Sequence, residues 1–165
     1  MERGASGVLG RTELRRGVLV QMSPEYLAHG RSKFWLAKRL EVVASNLSLA
    51  VDLDVTVRFP GRFRPLPDVT VWDGGPLQGP IPGEKVRLCV EVSDASFADD
   101  IDAKRVEYAE AGLPEYWVLD VNARAVHRFH GLINGDYSRR DIMRAGELIE
   151  SATVPGLKLS LDLPV

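Results

Sequence analysis

Asp68, Glu91 and Lys104 are the residues whose types and spacing point to chemistry. Pro67-Asp68 opens a strand-like run, Asp68-Val-Thr-Val-Trp72, and Glu91 sits inside the apolar run Leu88-Cys-Val-Glu-Val92. A carboxylate inside a buried strand is costly unless it is paired, metal-bound or functional. Lys104 follows Glu91 by about one strand-to-helix connection. Two carboxylates on neighbouring strand ends, with a lysine on the next helix, suit a divalent cation and a phosphodiester. Each residue also has a plainer reading. Asp68 could start a strand as a turn aspartate, and Glu91 could pair with Lys104 in a structural salt bridge.

The elements that must position these residues read as follows. Glu13–Met22 is a strand pair broken at Gly17, after a Gly-rich, frayed Met1–Thr12. Ser23-Pro24 is a helix start, with Ser23 as N-cap and Pro24 at the first helical position. Leu36, Leu40, Val43 and Leu47 share a helical stripe, so this helix runs to about Asn46. His29 lies on its inward side, either as a core histidine or as a site residue. Leu49–Phe59 alternates as one strand, and Asp68–Trp72 places Asp68, Thr70 and Trp72 opposite Val69 and Val71. Asp73–Gly83, rich in glycine and proline, is a loop without a phosphate-cradling pattern.

Val86–Ser93 is the central strand, apolar on both faces and therefore covered on both. A second helix starts around Asp94–Asp99 and stops at Gly112, a natural left-handed terminator. On it Asp100 and Tyr108 stand one turn either side of Lys104. Pro114–Asp120 is the next strand, completing a βαβ crossover if the strands are parallel. Ala123–His130, Tyr137–Met143 and Glu147–Ser151 form a meander, and Val154–Leu161 closes the chain as an edge strand. Tyr116 and Trp117 belong to the core, while Arg139, Arg140 and Arg144 are a solvated face or a phosphate track.

With 165 residues and no evident linker, residues 1–165 are expected to form a single domain. A net charge of −2 argues against a protein that coats nucleic acid. Sixteen arginines stand against five lysines, a bias that favours phosphate forks or simply reflects genome composition. The lone Cys89 rules out an internal disulfide and is expected to be buried and inert. No signal-peptide core or spanning stretch is present, so the expectation is a cytoplasmic protein without membrane association. A homodimer is compatible with the sequence.

Pro67-Asp68, Val90-Glu91-Val92-Ser93, Asp100–Lys104 and Tyr108-Ala-Glu-Ala-Gly-Leu-Pro-Glu-Tyr-Trp-Val-Leu-Asp120 together resemble the Uma-two family. That family belongs to the PD-(D/E)XK, restriction-endonuclease-like superfamily. Glu13-Leu with Gly17, Met22-Ser-Pro24 followed by His29, and Val154-Pro-Gly-Leu157 extend the resemblance over nearly the whole chain. It implies an α/β (α+β mixed) restriction-endonuclease-like core: a central mixed sheet flanked by helices, with a metal site at the strand ends. Asp68 and Glu91 match the two acidic positions. The usual lysine two residues after the glutamate is Ser93 here, and the resemblance moves that role to Lys104 on the following helix. Glu13 matches an additional N-terminal acidic residue.

At such a site Asp68, Glu91 and the Val92 carbonyl supply hard oxygen ligands for Mg²⁺ or Mn²⁺. Lys104 would orient or deprotonate water, or stabilise the transition state. Asp100 is first a helix cap or a solvated group, and second a guide for the lysine. The expectation is a metal-dependent endonuclease acting on DNA. The alternatives are an inactive nuclease-fold module binding nucleic acid or protein, and a hydrolase of smaller phosphoesters.

Overall fold

The computed structural model describes residues 11–22 and 24–162. Its centre is a six-stranded mixed sheet. In chain order the strands are β3 (Ala50–Leu53), β5 (Val69–Trp72), β7 (Val86–Ser93), β8 (Tyr116–Asp120), β9 (Ala125–Ile133) and β10 (Asp136–Arg144). In space they run β10-β9-β8-β7-β5-β3. β7 and β8 pair in parallel and every other neighbour in this sheet pairs antiparallel.

Side chains alternate across each strand, and both faces are covered. On one face Val69, Val71, Leu88, Val90, Val92, Trp117 and Leu119 pack with Leu36, Leu40 and Ala44 of α1 (Leu27–Ser45). These α1 residues recur every four positions, which gives the helix one buried stripe. On the other face Trp72, Cys89, Tyr116, Val118 and Phe129 pack with Tyr108, Ala109 and Leu113. Two-sided burial explains why β7 and β8 are so continuously apolar. It also puts Glu91, between Val90 and Val92, on the face that meets Tyr108.

The connection from β7 to β8 is helical in three consecutive pieces. These are α2 (Phe97–Asp99), a π turn (Asp100–Lys104) and α3 (Arg105–Glu110), and Gly112 follows at φ +84°. The sequence pattern predicts the helix and its glycine stop but not the wide turn in the middle.

Four other expectations need correction. α1 begins at Leu27, with Tyr26 extended before it, so Pro24 lies outside the helix. Glu25 precedes that start and is tied to Lys33 at 2.7 Å and to Arg11, contacts that hold the entry segment against the body. Ser23 and residues 1–10 lie outside the described residues, while Thr12 already belongs to β1 (Thr12–Arg15), which pairs with β2 (Val18–Gln21). The run Leu49–Phe59 is two strands, β3 and β4 (Val57–Arg58), because Asp54 turns left-handed at φ +54° and binds Lys33 Nζ at 2.9 Å. β4 pairs with β6 (Ile81–Pro82), a short pairing inside the glycine-rich loop. Finally, β11 (Leu148–Glu150) leaves the meander and pairs with β12 (Lys158–Ser160) in a separate ribbon. Its Ile149, with Leu157, Leu159 and Leu161, fills the α1 side of the core, and this burial outweighs continuation of the main sheet.

Candidate active site

The ends of β5 and β7 open into a cleft of about 300 Å³ lined by Glu13, His29, Asp68, Val92, Asp100 and Lys104, among others. Five parts of the chain meet there. Glu13 comes from β1, His29 and Lys33 from α1, Asp68 from the entry to β5, Glu91 to Ser93 from β7, and Asp100 and Lys104 from the π turn.

Asp68 is 4% exposed. Antiparallel pairing of Val69 with Val90 sets it beside the Glu91 end of β7, where its Oδ2 accepts the Val92 N–H at 2.8 Å. His29 Nε2 lies 3.2 Å from the same oxygen, and Lys33 Nζ lies 3.7 Å from Oδ1. Burial pushes the Asp68 carboxyl up, but His29, the Val92 N–H and Lys33 outweigh it and hold the group below the ordinary aspartate range. Asp68 is therefore an anion.

Glu91 is 2% exposed and behaves oppositely. Its Oε1 accepts the Tyr108 hydroxyl at 2.9 Å and lies 3.3 Å from Lys104 Nζ. Burial raises its pKa well above the usual glutamate value. Lys104 draws it down, while Asp68, Glu13 and Asp100 push it further up.

Lys104 reaches back from the helix to the strand end. Its Nζ also lies 3.4 Å from Asp100 Oδ1 and 3.7 Å from Glu13 Oε2. Burial works against its charge, but Glu91, Glu13 and Asp100 together hold the pKa above the normal lysine value. The three carboxyl groups around it favour the charged ammonium.

Glu13 fixes its other oxygen on the Leu66 N–H at 2.8 Å. Ser93 donates to Asp100 Oδ2 at 2.5 Å, and Ser96 donates to the same oxygen at 2.6 Å. Asp100 is thus neither solvated nor a helix cap: at 2% exposure it is part of the buried charge cluster. His29 is not a core histidine packed among Leu36 and Leu40. It stands at the cleft between Asp68 and Glu25, whose Oε2 lies 3.5 Å from Nδ1.

Sequence reasoning overlooked Lys33 and Glu25, and it set Tyr108 beside Lys104 without its bond to Glu91. Glu25, His29 and Lys33 are spaced four apart, and Tyr108 is four beyond Lys104, so helical spacing carried the signal. Glu25, His29 and Asp68 offer ligand atoms within 4.8 Å of one another, but the Glu25 carboxylate already has Lys33 and Arg11 for partners. Away from the cleft, Tyr116 and Trp117 are fully buried, as expected of core. Arg139, Arg140 and Arg144 are exposed on β10, with Arg140 stacked 5.4 Å over Phe129 and 2.6 Å from His127 Nδ1. Cys89 is buried, and burial raises its thiol pKa, as an inert core thiol requires.

A mixed sheet flanked by helices, with buried carboxylates gathered at its central strand ends, defines a nuclease-like α/β fold. The chain belongs to the Uma2 family, described as "Putative restriction endonuclease", whose model matches residues 7–162. A similar solved structure is a putative nuclease of the DUF820 group from Anabaena variabilis ATCC 29413. It shares 14% identity with a TM-score of 0.69, over 91% of this chain and 87% of that one. A complex of DrdV with DNA matches at 20% identity and a TM-score of 0.41, over 65% of this chain and 9% of that one. No curated protein matches. Among the described residues no helix is long and apolar enough to cross a membrane.

Proposed function

We propose that this chain is a Mg²⁺- or Mn²⁺-dependent endonuclease that hydrolyses DNA phosphodiester bonds, with Asp68, Glu91 and Lys104 as its catalytic set. The observation that carries this reading is the charge at the cleft. Glu13, Asp68, Glu91 and Asp100 are each at most 4% exposed; the first, third and fourth converge on the Lys104 ammonium, and Asp68 stands beside His29 and Lys33. Buried anions in such excess are stable only with more positive charge or bound protons. The raised pKa of Glu91 is the second of these, and a divalent cation would supply the first. The donors are hard oxygens, which suit Mg²⁺ or Mn²⁺ and fit the group the family implies.

Asp68, Glu91 and the Val92 carbonyl would hold the cation. Once bound, it lowers the pKa of a coordinated water and offsets charge on the phosphate. The Val92 N–H and His29 keep Asp68 ionised and aimed, and Tyr108 fixes the rotamer of Glu91. Lys104 contributes a fixed positive charge beside the scissile phosphate, the lysine role having moved from strand to helix. Ser93, at the position the lysine vacated, anchors Asp100 instead.

One observation favours an inactive module that binds protein. Arg15, at the mouth of the cleft, is engaged by Glu107 at 2.6 Å and Asp99 at 2.7 Å, so it offers little to a phosphate. Supercoiled plasmid incubated with Mg²⁺ or Mn²⁺, wild type against Asp68→Ala, separates the two. Nicking by the wild type alone is expected. Equal nicking by both, or by neither while Mn²⁺ fails to bind, would remove the nuclease reading.

A further inference from the structure

Lys104 is held in a way the other buried lysine is not. Lys33 makes directed contacts, 2.7 Å to Glu25 and 2.9 Å to Asp54. The Lys104 ammonium instead stands off from three carboxylate oxygens at 3.3, 3.4 and 3.7 Å, all beyond the 2.7–2.9 Å of a good charge-assisted hydrogen bond. Those oxygens come from β7, the π turn and β1, and their residues are 2–3% exposed. Asp100 Oδ1 is buried without any hydrogen-bond partner, although its other oxygen takes two hydroxyls. Three carboxyl groups thus surround one monovalent charge, with Asp68 beyond them. The arrangement is a cage around a charge rather than a set of aimed bonds.

The π turn explains how the cage is built. Its wider winding brings Asp100 and Lys104, four residues apart, into register with the end of β7, and single π turns are frequent where a helix serves a site. Three carboxylate oxygens from three separate elements are also a hard-cation donor set. Closing from the present distances to direct coordination takes about 1–2 Å per oxygen, within reach of side-chain rotation or of one intervening water.

We infer that the Lys104 ammonium is a tethered stand-in for a second cation, filling a position bounded by Glu13, Glu91 and Asp100 that accepts a divalent ion once the lysine is removed. The site is then a one-metal centre whose other positive charge is covalently attached. The inference rests on the reading above for the first cation, between Asp68 and Glu91, and not for the second.

Counting bound Mn²⁺ by equilibrium dialysis, with wild type, Lys104→Ala and Lys104→Ala combined with Asp100→Asn, tests it without a substrate. The expected stoichiometries are one, two and one. If Lys104→Ala binds no more Mn²⁺ than the wild type, the inference is overturned while the Asp68–Glu91 cation stands. A wild type that binds none and a Lys104→Ala that binds one would reverse this: the tethered-cation inference survives and the proposed metal site falls. Should Lys104→Ala not fold in metal-free buffer, it is refolded in Mn²⁺ and in NaCl of equal ionic strength. Recovery in Mn²⁺ alone, lost again in the double variant, supports the cage; no recovery in Mn²⁺ overturns it.

Discussion

At the scale of single residues, Asp68 and Glu91 are carboxylates whose surroundings push them apart. Asp68 is held low by His29, the Val92 N–H and Lys33, whereas burial holds Glu91 high. Their contributions to stability in metal-free buffer therefore have opposite signs. Asp68 stabilises the fold above its unfolded value of 3.8, and that contribution disappears as pH falls through its lower folded value. Glu91 favours the fold only while it keeps its proton, so its contribution declines as pH rises from its unfolded value of 4.5. Thermal midpoints against pH in EDTA should show both arms. Asp68→Asn is expected to flatten the acid arm and Glu91→Gln the alkaline one, and a Glu91→Gln profile identical to wild type would contradict this assignment. Lys104→Ala leaves Glu91, Glu13 and Asp100 with no shared cation and should cost about 3–5 kcal/mol in urea unfolding. Adding Glu91→Gln should return part of that loss, because the buried side chain can then no longer ionise beside Glu13 and Asp100.

At the scale of elements, the βαβ-like passage from β7 to β8 does most of the positioning. β7 presents Glu91 and Ser93 to one layer, the π turn lifts Asp100 and Lys104 over the strand end, and α3 delivers Tyr108 back to Glu91. The helix must then stop cleanly so that β8 can enter alongside β7. Gly112 does this at φ +84°, with nothing within 4 Å of where a Cβ would stand. Gly112→Ala should therefore meet backbone strain alone and cost about 1–2 kcal/mol by chemical denaturation. A neutral substitution would show that the helix end can rearrange. On the other side, α1 carries His29 and Lys33 to Asp68 on the same helix whose stripe builds the core. The helix that stabilises the sheet also orders the carboxylate at its edge.

At the scale of the whole molecule, a net charge of −2 and four buried carboxylates at one cleft make cation binding the main electrostatic event available. A ligand that binds only the folded form at about 100 times its dissociation constant adds about 2.7 kcal/mol, or about 5–10 °C for a domain of this size. Millimolar Mn²⁺ should produce a shift of that order in differential scanning calorimetry and release protons, since Glu91 must give up its own. Asp68→Ala should remove most of the shift. A wild-type midpoint indifferent to Mg²⁺ and Mn²⁺ would leave the charged cleft as scaffold.

Much of the architecture was legible in the residues themselves. The run Val86–Ser93 is uninterrupted and apolar on both faces, and it can satisfy both layers only as a central strand, which is what β7 is. Gly112 marked its helix end because only glycine takes that backbone region freely. Asp68, Glu91 and Lys104 stood out because charge inside an apolar pattern demands a partner. What the chain alone left open were the choices made between distant segments. His29 could serve the core or the cleft until α1 was laid against the start of β5. Asp54 ended a strand whose alternation ran on, because Lys33 from α1 reached it. The π turn and the enclosure of Asp100 depend on Ser93, Ser96 and Lys104 meeting one carboxylate, and no periodicity of 2 or 3.6 encodes that. Local pattern determined which residues were buried, and tertiary packing decided which buried charges faced one another, because pairing energy depends on distances that only the folded chain sets.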